Sequence, residues 1–142
     1  MIQALNSHPL FALLTEAEIA FLSEFGHTQR FVPQDSLIRI GERTRDVLCI
    51  VEGSVSVQIE DASGGIIEIT RLHQGSLIGE MNFIIPTRRT ANVVALTEVK
   101  AGIFPYQEFC TLLAGDPILA TKIFAALNLQ LTGKYLNMLS GL

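Results

Sequence analysis

The sequence predicts a mainly β fold with flanking helices, of the sandwich, jelly-roll or β-roll kind. Two observations carry this. From Gln29 to Phe104 the apolar runs are short, β-branched and broken by turn residues, a spacing that fits roughly eight strands. On either side of that region apolar residues recur at helical spacing instead. The 142-residue length suits a single domain, divided into a helical segment over 1–28, a β-region over 29–104 and C-terminal helices over 105–142.

Each element has a local reason. Leu10, Leu13 and Leu14, then Ile19, Leu22 and Phe25, follow helical periodicity from about Pro9 to Phe25. Within it Thr15-Glu16-Ala17-Glu18 has the capping-box pattern that starts a second helical piece, and Gly26 stops it. Ser54 to Glu60 alternates apolar and polar, as a half-buried strand does. Asp61-Ala62-Ser63-Gly64-Gly65 reads as a hairpin turn, after which Ile67, Ile69 and Arg71 continue on the returning strand. Asn92–Ala95 and Val99–Ile103 are expected to pair with each other around Thr97-Glu98. Pro105 fits the first turn of a helix whose apolar face is Phe109, Leu112 and Leu113, and Gly115 closes it. Asp116-Pro117 then starts the last helix, an N-cap acid followed by proline at N1. That helix has two apolar stripes: Ile123, Leu127, Leu131 and Met138 on one, Leu129, Leu136 and Leu139 on the other. A helix apolar on two sides packs on two bodies, here its own β-region and a partner chain.

Composition narrows the function. Apolar residues make up 49% and charged residues only 17%, which points to a buried self-association surface. No apolar run approaches the roughly 20 residues of a membrane span. No basic-then-apolar leader opens the chain, so a cytoplasmic protein is expected. A net charge of −4 argues against nucleic-acid binding. Cys49 and Cys110 both sit in apolar patterns and read as buried free thiols. His8, His27 and His73 are scattered, so no metal and no metal-dependent enzyme of the cupin type is expected. No Ser-His-Asp or Cys-His arrangement has supporting context either.

The chemistry concentrates in "GSLIGEMNFIIPTRRTANVVAL", Gly75 to Leu96. Gly75 and Gly79 permit tight turns. Glu80-Met81-Asn82-Phe83 can form one helical turn with outward N–H groups. Arg89 follows Glu80 by nine positions with Pro86 between, so a chain that doubles back would bring both to one small cavity. A guanidinium there binds phosphate through paired, charge-assisted hydrogen bonds, and Thr90 adds a hydroxyl. An ionised Glu80 only accepts, which suits sugar hydroxyls. The plainer reading is a loop stapled by an ion pair of Glu80 with Arg88 or Arg89.

This stretch resembles the phosphate-binding cassette of the cyclic nucleotide-binding domain family. Gly79-Glu80, Phe83, Arg89-Thr90-Ala91 and Val93 match that pattern, and "FVPQDSLIRIGERTRDVLCIVEGSVSVQI" is similar to the family's early strands. The resemblance covers nearly the whole chain. It implies a double-stranded β-helix, a jelly-roll-like β-roll, with an N-terminal helix and two C-terminal helices. It implies that Glu80 binds the ribose 2′-hydroxyl and Arg89 the cyclic phosphate. Thr90 and the backbone around Gly79, Met81, Asn82 and Ala91 would complete the cradle. On the last helix, which in the family lids the base and dimerises, Thr132 is the candidate base contact. Three departures stand out. Gln34-Asp35-Ser36 replaces a turn that often holds glycine, "IIPTRR" lacks the usual loop glycine, and Arg88 stands where proline is common. The family's transcription factors continue into a helix-turn-helix domain, and this sequence stops after the lid helix, so direct DNA binding is not expected.

The function so implied is a sensor module, not an enzyme. It would bind cyclic AMP, with cyclic GMP the second choice, and move its C-terminal helix. A homodimer through that helix, or an unidentified effector protein, would receive the signal. The alternative is a ligand-free interaction or dimerisation module that keeps the same fold.

Overall fold

The computed structural model describes residues 12–140. Helix α1 (Glu16–Phe25) leads into strands β1 (His27–Phe31), β2 (Ser36–Ile38), β3 (Val47–Glu52), β4 (Val55–Glu60), β5 (Ile66–Leu72) and β6 (Leu77–Ile78). A short helix α2 (Glu80–Ile84) interrupts the strands before β7 (Asn92–Ala95) and β8 (Val99–Phe104). Helices α3 (Tyr106–Gly115) and α4 (Pro117–Ser140) follow. The strands form two four-stranded antiparallel sheets, β1-β8-β3-β6 and β2-β7-β4-β5.

The start signals act as the sequence implies. Thr15 Oγ1 accepts from the Glu18 N–H at 3.1 Å, and Glu18 Oε1 accepts from the Thr15 N–H at 2.9 Å, a complete capping box. Asp116 Oδ1 accepts from the Leu119 N–H at 3.1 Å and opens α4. Residues 9–11 of the expected first helix lie outside the described residues, as do the side chains of Leu131, Leu136, Met138 and Leu139. Gly26 ends α1 in an extended conformation that runs directly into β1. Pro105 caps α3 rather than entering its first turn, because its ψ of 135° is still that of the preceding strand.

Strand β3 shows why the core is divided. Its five consecutive residues Val47 to Val51 are all buried, because this sheet is covered on both faces. Leu48 and Ile50 face the other sheet and pack with Ile38, Val55, Val93 and Ala95. Val47, Cys49 and Val51 face the helices and pack with Leu22, Phe83, Phe109, Leu119 and Ile123. Burial pushes the Cys49 thiol up to about 11, so it stays a protonated apolar filler. Cys49 and Cys110 are both free.

Two expectations about strands change. β7 and β8 do not pair with each other: β7 joins β2 and β4 in one sheet, β8 joins β1 and β3 in the other. Residues 96–98 are a corner between sheets, not a hairpin, and residues 53–54 make the matching corner between β3 and β4. The corners interlock: the Leu96 N–H donates to the Ser54 carbonyl at 2.9 Å and the Ser54 N–H to Thr97 Oγ1 at 3.1 Å. Gly53 is required there, since its φ is +96° and a Cβ would lie 2.3 Å from the Glu98 carbonyl oxygen. The alternation of β4 is also incomplete. Ser56 is fully buried, and its hydroxyl donates to Glu68 Oε2 on β5, whose Oε1 accepts from Arg71. Ile66, Ile67 and Ile69 are exposed, because β5 is the free edge of its sheet.

The turn before β2 holds Gln34 at a φ of 77°, the one non-glycine residue with positive φ among those described. Its N–H donates to the Ala95 carbonyl at 2.8 Å, a bond that glycine preserves. Gln34→Gly is therefore expected to stabilise the fold by about 1 kcal/mol, relieving left-handed strain. A thermal melt should rise by roughly 2–4 °C. An unchanged or lowered melting temperature would contradict the strain.

Candidate functional site

Helix α2 places the first half of the site. Gly79 precedes it at a φ of 84°, a left-handed turn that swings the chain from β6 into the helix. Glu80 is its first residue, only 1% exposed. The N–H groups of this first turn have no carbonyl partner within the helix. Phe83 anchors the other side of α2. Its ring lies 5.6 Å from Tyr106, 5.2 Å from Phe109 and 5.8 Å from Phe124, so α2 is packed onto both α3 and α4.

The second half comes from the loop after α2, and the chain does double back. The Arg89 N–H donates to the Glu42 carbonyl at 2.8 Å, and the Arg89 carbonyl accepts from the Gly41 N–H at 2.9 Å. This pairing fixes the arginine's backbone to the turn before β3. Its guanidinium then points inward and is only 3% exposed. Nε donates to Thr44 Oγ1 at 3.0 Å and Nη2 to the Asp46 carbonyl at 2.8 Å. Nη1 makes two longer contacts, each 3.3 Å, to the Gly79 carbonyl and to Asn82 Oδ1.

The electrostatics follow from that burial. Desolvation pushes the guanidinium below its ordinary pKa, while the nearby carboxylates of Asp46 and Glu42 oppose the shift. An arginine remains charged even so. Among the described residues the atoms that accept its hydrogen bonds are neutral oxygens: Thr44 Oγ1, Asn82 Oδ1 and the Gly79 and Asp46 carbonyls. The two 3.3 Å contacts lie beyond the usual range for N–H···O bonds and are the weakest holds. That edge of the guanidinium is the one an incoming anion can take over.

The residues expected from sequence fall into three groups. Gly79, Asn82 and Arg89 are in direct contact, with Glu80 and Met81 in the same short helix. Thr90 is exposed and Ala91 half-buried at the start of the next stretch of chain. Thr132 is on α4 and exposed. Arg88 is exposed, and its Nη1 donates to the Gly41 carbonyl at 2.9 Å, so of the two adjacent arginines it is Arg89 that turns inward.

Sequence reasoning missed the part played by Arg43-Thr44-Arg45-Asp46. Thr44 and the Asp46 carbonyl hold Arg89, as above. Arg45 holds the far end of α2: Nε donates to the Asn82 carbonyl at 2.8 Å and Nη2 to the Phe83 carbonyl at 2.9 Å. Its guanidinium carbon also lies 4.0 Å from the centre of the Tyr106 ring. Asn82 acts through its side chain as well as its backbone, because Nδ2 donates to the Thr87 carbonyl at 2.8 Å. The signal for this segment was a charged run set immediately before the apolar run Val47 to Val51.

The fold is a two-sheet β-roll with helices on one face, holding a buried arginine against a glycine-acid turn. Residues 28–116 match the family model described as the cyclic nucleotide-binding domain, and the chain belongs to that family. It is similar to the cAMP-activated global transcriptional regulator CRP of Escherichia coli, at 29% identity over 84% of this chain and 59% of that protein. The chain thus spans under two thirds of that relative's length. Among solved structures it is similar to a cyclic nucleotide-binding domain from Methylobacillus flagellatus, with a TM-score of 0.85, 25% identity, and 96% of this chain and 76% of that chain covered. It is also similar to the regulatory subunit of a cAMP-independent protein kinase A from Trypanosoma cruzi bound to guanosine. There the TM-score is 0.71 and the identity 28%, over 94% of this chain and 49% of that chain. Among the described residues no group of three or more His, Cys, Asp or Glu could hold a metal ion, and no helix is long and apolar enough to cross a membrane.

Proposed function

We propose that the chain is a single sensor domain that binds a cyclic nucleotide, cyclic AMP ahead of cyclic GMP, and passes the signal through α4. The observation that carries this is the buried Arg89 guanidinium, contacting Gly79 and Asn82 with neutral oxygens as its acceptors. In this reading the cyclic phosphate takes the Nη edge now held by the two long contacts, and Glu80 accepts from the ribose 2′-hydroxyl. Thr90 and the backbone of Met81, Asn82 and Ala91 close around the phosphate, and Thr132 on α4 approaches the base. The E. coli relative, named as cAMP-activated, supports cyclic AMP. The guanosine-bound kinase subunit supports keeping the choice of base open.

Coupling to α4 would run through Phe83, which shares one aromatic cluster with the site's own helix, α3 and α4. A ligand that draws in α2 moves Phe83, and the helices respond by the difference in affinity between their two positions. Ile118, Phe124 and Leu129 are exposed apolar residues on α4, which supports a homodimer or an effector protein on that helix.

The ribose contact gives a sharp test. Cyclic AMP should bind at least about tenfold more tightly than its 2′-deoxy analogue, since a buried carboxylate loses a charge-assisted hydrogen bond. Glu80→Gln should narrow that ratio. Equal affinity for the two ligands in the unaltered protein would remove Glu80 from the ribose site.

A further inference from the structure

A cleft beside the loop that follows α2 takes no part in the nucleotide binding proposed for Arg89. Its volume is about 460 Å³, and Arg43, Arg45, Pro86, Thr87 and Arg88 line it. Three of these five residues are arginines, and none is acidic. The ion pairs formed among the described residues, Arg71–Glu68 and Lys122–Glu18, involve none of the three. Gathering three cations in one cleft is unfavourable by itself, and an anion bound between them would offset that.

The cleft is also partly organised in advance. Arg45 is held by the Asn82 and Phe83 carbonyls and by the Tyr106 ring, and its Nη1 has no hydrogen bond among the described residues. Arg88 is held through Nη1 by the Gly41 carbonyl, which leaves Nε and Nη2. Arg43 is exposed and spends no donor on a described residue. Two fixed guanidinium groups and one adaptable one form a set of planar forks suited to phosphate oxygens. Among the described residues the lining offers no carboxylate for a ribose and consists of arginine, proline and threonine. A compact polyanion fits this chemistry better than a nucleoside does.

We propose that this cleft is a second anion site, for an oligophosphate group of the pyrophosphate type. It is separate from the Arg89 site. Neither Arg89 nor Gly79, Glu80 or Asn82 lines the cleft, while Thr44, between Arg43 and Arg45, accepts from Arg89, so one short segment borders both sites. The assignment does not rest on cyclic nucleotide binding.

The test is calorimetric titration of the full chain with sodium pyrophosphate at low ionic strength. It is repeated on an Arg43→Gln/Arg88→Gln double variant, and at saturating cyclic AMP. Both substituted residues are exposed, so a thermal melt should show the variant folded. Saturable binding is expected, weakened by about tenfold or more in the variant, with cyclic AMP leaving it unchanged. Repeating the titration with ADP separates the sources. Comparable affinity assigns a phosphate chain carried on a nucleotide, weaker affinity assigns the free anion, and both uphold the site. The proposal is overturned if the unaltered protein shows no saturable binding, if the double variant binds equally well, or if cyclic AMP displaces the pyrophosphate.

Discussion

Replacing Arg89 with glutamine is expected to weaken cyclic nucleotide binding by about 30-fold to a few thousandfold, the equivalent of roughly 2–5 kcal/mol. The size follows from burial. The guanidinium is 3% exposed, so its charge acts on a ligand phosphate with little screening by water. The substitution also removes donors from Thr44, Gly79, Asn82 and Asp46, so some stability goes with it. Arg89→Lys separates the two effects. It keeps a cation but loses the two-pronged geometry, so its affinity should fall between those of the glutamine variant and the unaltered protein. Calorimetry on both variants, with a melt to confirm folding, measures this. A folded glutamine variant with undiminished affinity would assign the phosphate elsewhere.

Gly79→Ala should damage fold and site together. At a φ of +84° an L-residue is strained, at about 1–2 kcal/mol. A Cβ there would also lie 2.5 Å from Arg89 Nη1 and 2.8 Å from the Asp46 carbonyl oxygen. The arginine can retreat only by breaking its remaining bonds, and the carbonyl belongs to the residue directly before β3. Overpacking of this kind adds roughly 1–3 kcal/mol. A melting temperature lower by on the order of 10 °C is expected, together with weaker nucleotide binding. An alanine variant with an unchanged melt and unchanged affinity would mean that the guanidinium does not rest against this turn.

Much of the site was legible because its signals are local. The Glu80–Phe83 helical turn, the Thr15 capping box and the Asp116-Pro117 helix start each depend on neighbours within a few positions. That the chain doubles back and brings Arg89 to the Glu80 turn was also foreseeable, since Pro86 turns the short loop between them, but that its contacts are with Gly79 and Asn82 was not. Non-local features were not. That β7 and β8 belong to different sheets depends on the corner at 96–98 interlocking with Gly53 and Ser54, more than 40 positions away. Nothing in the period of either strand records that. Similarly, Ser56 reads as a solvent-facing residue until Glu68 folds over it from the next strand. The Arg43–Asp46 run carries no local signal of its role. Its carbonyl and hydroxyl contacts with Arg89 arise only when two loops meet.

The central claim is that this domain binds a cyclic nucleotide at Arg89. Calorimetric titration of the unaltered protein with cyclic AMP and with cyclic GMP, after removal of any co-purified nucleotide, tests it most directly. Saturable one-site binding of at least one ligand, tighter for cyclic AMP and weakened in Arg89→Gln, is the expected result. Folded protein that binds neither ligand up to millimolar concentration would contradict it.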